Sequence, residues 1–402
     1  MTLTRRTFAA ATAAAPFTLR VGPADAAPGV SNTEIRIGQT QPYSGPLSML
    51  GSTLGRTAMA YFDMVNATGG INGRKVTLIS LDDAYIPPRT FEQTRRLVES
   101  DDVLLIFNTV GTNTNQTIHR YLNQRKVPHL LILTGANRWN DPKNFPWTVS
   151  GMFSYEAEAR TYARHALSAV QNPRIAILSQ NDDSGRDFVR GVRQGLGERA
   201  RDLIAAEATY EPTDPTIDSQ MVALKGSGAN VLMNFAFGKF AVQSIQRTRD
   251  LAWRPQIYIG SGSSSIAAIL RPAGPENAIG ALTIANIKNP LDPQWDNDQG
   301  MKDYLAFMAR YAPALDARDS LNVTAYSLSM VLHEVLRRCG NDLTRENVMR
   351  QMRQLRDFTT PVMLPGITTA MAEDNYELYG SMRLQRFDGT SWVPLPDVVI
   401  RR

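Results

Sequence analysis

Three features of the sequence predict an α/β protein made of two Rossmann-like lobes. Strand-like apolar runs alternate with helix-period segments at the spacing of βαβ units, which implies parallel sheets covered by helices. The alternation runs twice, with a join near residue 148. The chain has 402 residues, too many for one ordinary core and natural for two.

The elements follow in order. "EIRIGQTQPYSG" (34–45) reads as a strand breaking into a Pro/Gly loop. In 55–70, Met59, Phe62, Met64 and Val65 recur at helical spacing, closed by Gly69-Gly70. An Asn-Gly turn leads into a second strand within 71–84, and 87–102 is a helix with Pro near its start. Residues 103–117 read as strand then loop, 116–126 as a helix, and 127–133 as the fourth strand. The second series has helices at 158–170, 186–200, 219–228 and 239–251. Its strands, two of them running on into loops, lie at 173–185, 203–212, 229–238 and 256–265. One more strand falls in 281–288, with helices at 321–339 and 344–356. The tail 380–395 is a hairpin turning at Asp388-Gly389.

The first 26 residues stand apart. Paired Arg5-Arg6, an Ala-rich run and "ADAA" form a secretory signal layout of twin-arginine type, with cleavage expected after Ala26. The run is far short of the ~20 apolar residues that span a bilayer. No cysteine lies near the cleavage point, so no lipid anchor is expected and the mature chain belongs in the periplasm.

Composition excludes several classes. The net charge is +5, but it is spread without basic runs, so nucleic acid is not an expected partner. Cys339 is the only cysteine, which rules out an intramolecular disulfide and a cysteine metal cluster. His119, His129, His165 and His333 form no ligand spacing. No metal or cofactor is expected. No catalytic residue is assigned either. "HEVLR" (333–337) lacks the second histidine of a zinc helix, Gly238-Lys239 lacks the rest of a phosphate loop, and no nucleophile elbow appears. Asp82-Asp83 and Asp182-Asp183 at strand ends read as helix caps or loop braces, with acid/base chemistry as the alternative.

In open α/β sheets, ligands bind beyond the carboxyl ends of the strands. With two such lobes, that place is the cleft between them. The loops there are rich in hydroxyls, amides and glycine ("TVGTNTN", "TGAN", "GSGSSS"). Such groups suit recognition of a small polar or anionic group better than bond breaking.

"IRIGQTQPYSGPLSMLG" (35–51), "VNATGGINGRKVTLISLDDA" (65–84), "TFEQTRRLVESDDV" (90–103) and "RIAILSQNDDSGRDFVRGVRQGL" (174–196) carry a resemblance over roughly 33–395. The chain resembles the type I periplasmic solute-binding proteins of ABC importers, in the branched-chain amino acid-binding branch. The resemblance implies a binding protein, not an enzyme, that closes on one small solute and delivers it to membrane permease subunits. We expect it to act as a monomer. It also implies a three-crossing hinge, with lobe one at 31–148 plus 278–357 and lobe two at 149–277 plus 358–402.

In amino-acid-binding members, the loop after the third strand holds the ligand carboxylate. The matching positions are Gly111, Thr112 and Asn113, with Leu133, Thr134 and Gly135 on the next loop. The free amides of a helix starting beside Thr112 favour an anion. The acidic residue that pairs with the ligand ammonium in such members is matched by Gly262. Two tyrosines are matched by Phe237 and Ser184. A buried ammonium without a carboxylate partner is costly. These departures point to an aromatic or aryl-alkyl carboxylate, unless Asp182 or Asp183 substitutes. Met49, Leu50, Tyr85, Phe153 and Phe237 are the expected apolar walls. Tyr85 is expected to face Gly111, at positions that a disulfide joins in some relatives. Relatives with a loop like 134–147 serve aromatic acid uptake. Trp139, Phe145 and Trp147 are expected to pack the hinge side of lobe one. The alternatives are a branched-chain amino acid or amide as ligand, a ligand-sensing domain for signalling, and a hydrolase of exported small molecules.

Overall fold

A computed structural model describes residues 27–401, so the expected signal segment 1–26 lies outside the described residues. The first sheet is parallel: β1 (Glu34–Gln41), β2 (Lys75–Asp82), β3 (Ile106–Phe107), β4 (His129–Ile132) and β5 (Thr148–Ser150), in the order β2-β1-β3-β4-β5. Helices α1 (Ser48–Ala67), α2 (Pro87–Glu99) and α3 (Thr112–Gln124) connect its strands. α1 begins at Ser48, before the expected position 55, and Leu54 adds to its buried face there.

The second lobe continues with α4 (Tyr155–Ala169), β6 (Ile175–Gln180), α5 (Asp183–Leu196), a short α6 (Ala200–Leu203) and β7 (Ile204–Tyr210). Then come α7 (Asp218–Gly226), β8 (Val231–Phe235), α8 (Lys239–Asp250), β9 (Gln256–Ile259) and a short α9 (Arg271–Ala273). β10 (Leu282–Ala285) pairs parallel to β9, and the hairpin β11 (Ser381–Phe387) and β12 (Trp392–Arg401) adds antiparallel edge strands. The sheet order is β12-β11-β10-β9-β8-β6-β7. β6 and β8 are buried along their whole length, as apolar runs covered on both faces require.

Two boundaries differ from the expected ones. β5 extends the first sheet through Ser150, beyond the join at 148. β10 belongs to the second sheet, although 278–357 was assigned to lobe one as a block. Its hydrogen bonds to β9 and β11 decide this, and no local pattern encodes which sheet a strand joins. The chain crosses between lobes after β5, after β10 and again before β11, three times in all.

The sequence reading omitted α10 (Gln299–Tyr311). Asp298 caps it by accepting from the Met301 amide at 2.9 Å. Met301, Tyr304, Phe307 and Met308 form its buried face, a period visible in the sequence. α10 and α11 (Ser320–Cys339) pack on α1 in lobe one, and α12 (Arg345–Arg353) packs on α11.

Strand order positions the site. In the first sheet the order reverses between β1 and β3, and in the second between β6 and β8. Loops at such switch points diverge and leave a crevice. Residues 42–50 and 108–112 lie at the first, and residues 181–184 and 236–239 at the second.

Candidate functional site

The two crevices face each other and enclose a cavity of about 140 Å³. Its first-lobe end begins with two strained residues. Ala84 and Tyr85 hold φ of 52° and 61°, a left-handed region unfavourable for side-chain-bearing residues. Asp82 and Asp83 hold them there by accepting from the amides of Ala84 at 3.0 Å and Tyr85 at 2.9 Å. The strain aims the Tyr85 ring onto Gly111, where a Cβ would collide with it.

Gly111 takes φ +96° as the N-cap of α3, so the helix starts at the cavity wall. Thr112 lines the cavity, and its hydroxyl is 2.6 Å from that of Thr134. Thr134 Oγ1 accepts from Trp139 Nε1 at 3.2 Å and from the Ala136 amide at 3.4 Å. Either hydroxyl of this pair can be the donor. When Thr134 donates, the Thr112 proton is left at the cavity wall beside the first turn of α3.

The second-lobe end is aromatic. Phe153, Tyr155 and Phe237 line it, and Tyr155 stacks on Phe188 at 4.3 Å. Phe188 in turn stacks on Phe235 at 4.1 Å. Gly262 also lines the cavity, with space for a Cβ only 3.2 Å from the Phe237 ring. Behind this loop, fully buried Glu158 accepts from the Ser261 amide at 2.6 Å, Ser261 Oγ at 2.8 Å and Tyr162 at 2.8 Å. Burial pushes its carboxyl up to about 7, against the opposing pull of those donors.

The hinge side supplies a wall that sequence reasoning missed, including Asn286, Lys288 and Asn289 after β10, Tyr379 and Gln385 near β11, and Leu321 on α11. These segments are far apart in sequence, so only the crossings bring them together. Lys288 is paired with Asp298 at 2.7 Å and donates to the Pro361 carbonyl at 2.7 Å. Among the described residues, no Asp or Glu lines the cavity.

The expected site residues divide. Leu50, Tyr85, Gly111, Thr112, Leu133, Phe153, Ser184, Phe237 and Gly262 line the cavity together. Four do not. Met49 is 59% exposed and sits at the outer mouth, because the first turn of α1 points outward there. Asn113 lies one residue beyond Thr112 and turns off the wall. Thr134 is buried behind Thr112. Gly135 is small for a different reason from the one expected. A Cβ there would strike the Phe153 carbonyl and the Tyr155 ring, so it admits the second lobe's own chain.

The acidic pairs are structural. Asp182 caps α5 by accepting from the Gly185 amide at 3.1 Å, and it also takes the Ser184 hydroxyl. Asp183 pairs with Arg138 and Arg186. Neither lines the cavity, so neither replaces the carboxylate absent at Gly262. Glu334 pairs with Arg337 and Arg338, and His333 Nδ1 is 3.0 Å from the Tyr61 hydroxyl. No group of three or more potential metal-binding side chains occurs among the described residues.

Two aromatics of 139–147, Trp139 and Phe145, pack on His119. Its ring stacks on Phe145 at 4.0 Å and meets Trp139 edge-on at 4.9 Å. Burial lowers its basicity to about 4. The same segment reaches the second lobe, since the Asn137 amide donates to Asp187 at 2.7 Å.

The family model for periplasmic binding proteins matches residues 34–391. The chain is 22% identical over 251 residues to Leu/Ile/Val-binding protein homolog 7 of Brucella suis, covering 60% of this chain and 61% of that one. It thus spans about three fifths of that relative's length. Among solved structures, a branched-chain amino acid ABC transporter protein from Thermus thermophilus with bound valine superimposes with a TM-score of 0.80 at 14% identity. That match covers 91% of this chain and 96% of the other. A solute-binding protein of an ABC transporter from R. palustris in complex with benzoate gives a TM-score of 0.76 at 18% identity, covering 92% and 96%. At such identities the likeness shows the fold. The family match spans nearly the whole described chain, and the chain belongs to the periplasmic binding protein family.

Proposed function

We propose that this protein is the extracytoplasmic solute-binding component of an ABC importer. In this reading it holds a small carboxylate, an aromatic or aryl-alkyl acid, between its lobes and delivers it to a permease without chemical change. One observation carries the ligand class: among the described residues, no carboxylate lines the cavity. An α-amino acid would bury its ammonium there with no counter-charge, at a cost of several kcal/mol. The opposite end suits an anion. In this reading the Thr112 hydroxyl and the free amides at the start of α3 donate to the ligand carboxylate, and the helix dipole favours its negative charge. The aromatic group would lie between Phe153, Tyr155 and Phe237. The export signal expected in residues 1–26 agrees with this location.

The valine-bound and benzoate-bound neighbours mark the two ligand classes to compare. Thermal unfolding with benzoate- and cinnamate-type acids, leucine and valine distinguishes them. Stabilisation is expected with an aromatic acid and not with leucine or valine. The opposite pattern would sink the proposal. Mass spectrometry of any small molecule that co-purifies gives an independent check.

A further inference from the structure

Beyond the inner cavity, toward solvent, lies a second one of about 450 Å³. The two share Leu50, Phe237, Gly262, Ser265 and Leu321, so they adjoin one another at these residues. The outer part is bounded by Pro46 and Met49 of the first lobe and by two helical segments of the second. On α8, Lys239, Val242, Gln243 and Gln246 share the face turned to the cavity, while Phe240, Ala241, Ser244 and Ile245 are buried on the other. The second segment is a π-helical turn, Ile266–Leu270, which presents Ala268 and Ile269. Such turns are rare and often mark functional sites.

The charge on this wall is already engaged. The Lys239 ammonium donates to the Asp214 carbonyl at 2.8 Å and lies 4.5 Å above the Phe240 ring. No acidic residue lines the outer cavity among the described residues. What remains is an apolar surface edged by two glutamine amides. Gly262 lines both spaces, and a Cβ there would stand 3.2 Å from the Phe237 ring.

The geometry points to a distal subsite for an uncharged, mainly apolar arm of the bound acid. This inference rests on the carboxylate reading above. The ligand lies with its carboxylate at Thr112, its ring among Phe153, Tyr155 and Phe237, and its chain or second ring past Gly262 toward Val242 and Ile269. The preferred solute is therefore longer than benzoate.

Isothermal titration of the purified protein with benzoate, 4-ethylbenzoate, 4-propylbenzoate and 4-butylbenzoate, which lengthen the acid beyond its ring, tests this. Affinity is expected to rise about fourfold for each added methylene that is buried. Val242→Asp is expected to flatten the series by placing charge in the apolar space, and Gln246→Trp by filling it. Both sites are on the partly exposed face of α8, and benzoate affinity should stay within about twofold in each. A flat series in the wild type, or an unchanged gradient in both variants, overturns the distal subsite while leaving benzoate binding intact. If no acid of any length binds, the carboxylate reading itself fails, and the subsite with it.

Discussion

Ser265 Oγ donates a 2.7 Å hydrogen bond to Asp319 Oδ1 across the two lobes. Each side chain also caps a helix of its own lobe. Ser265 accepts from the Ala268 amide at 3.0 Å, and Asp319 from the Leu321 amide at 3.0 Å. Two helix starts are thus tied together at the wall shared by both cavities. The bond ties the lobes in this arrangement, and we expect it to favour closure. Ser265→Ala is expected to weaken ligand affinity about tenfold, the scale of a hydrogen bond to a charged group. Small-angle scattering with saturating ligand should show a larger open fraction than in wild type. Unchanged affinity and scattering would remove the pair from any role in closure.

Gly262 is proposed to set which ligand charge the second lobe accepts. Gly262→Asp places a carboxylate in a lining that has none among the described residues. Affinity for an aromatic acid should fall by at least tenfold, because two like charges would share a small buried space. The Phe237 ring, 3.2 Å from the new Cβ, must shift slightly. Titration with an aromatic acid and with leucine measures both effects. Equal acid affinity in the variant would contradict the proposed ligand placement.

Tyr85 and Gly111 constrain one another. Gly111→Ala adds a Cβ at φ +96° and drives it into the Tyr85 ring, so a loss of about 2–4 kcal/mol is expected. Tyr85→Ala in the same chain should recover the steric part and leave the backbone part. A double-mutant cycle in urea measures that coupling. Strict additivity would mean that the ring gives way freely.

Trp139 is expected to act on the site through Thr134, whose Oγ1 accepts from its Nε1 at 3.2 Å. Trp139→Phe keeps the edge-on packing against His119 but removes the Nε1 donor. Thr134 can then accept from Thr112, which withdraws the Thr112 proton from the cavity. Acid affinity should drop about threefold to tenfold, with little change in the binding of an uncharged amide analogue. An equal loss for both ligands would indicate a packing effect instead.

Glu158 links stability to pH. Its carboxyl is raised from 4.5 to about 7 in the fold by burial. A raised acid favours its protonated form, so its contribution is full below about pH 4.5 and is lost as pH rises through 7. The scale is roughly 3 kcal/mol. His119 acts in the opposite direction, since its lowered basicity costs stability as pH falls from 6.5 toward 4. Urea unfolding of wild type and Glu158→Gln from pH 4.5 to 7.5 isolates the Glu158 contribution by difference. Parallel profiles would show that the carboxylate is not buried as described.

Much of the fold was legible in the sequence because its signals are local. β6 and β8 read as continuous apolar runs, α2 begins at its prolines, and the tail hairpin turns where Asp388 and Gly389 stand. α10 carried the same kind of signal, in Met301, Tyr304, Phe307 and Met308 behind the Asp298 cap, and was overlooked. Nine of the expected site residues line the cavity because strand-end loops follow from strand order.

What the sequence alone determined was therefore the lobes, the cleft and the chemistry of its loops. The tertiary structure decided which of those loop residues face inward. Gly135 and Thr134 lie in the same turn as residues that reach the cavity, yet one admits Tyr155 and the other orients Thr112. It also decided that β10 joins the second sheet, and that Lys288, Gln385 and Leu321 meet at one wall. The physical reason is the range of the forces involved. Periodicity and capping act over a few residues, whereas contacts between lobes join segments tens to hundreds of positions apart and arise only when both sheets are formed.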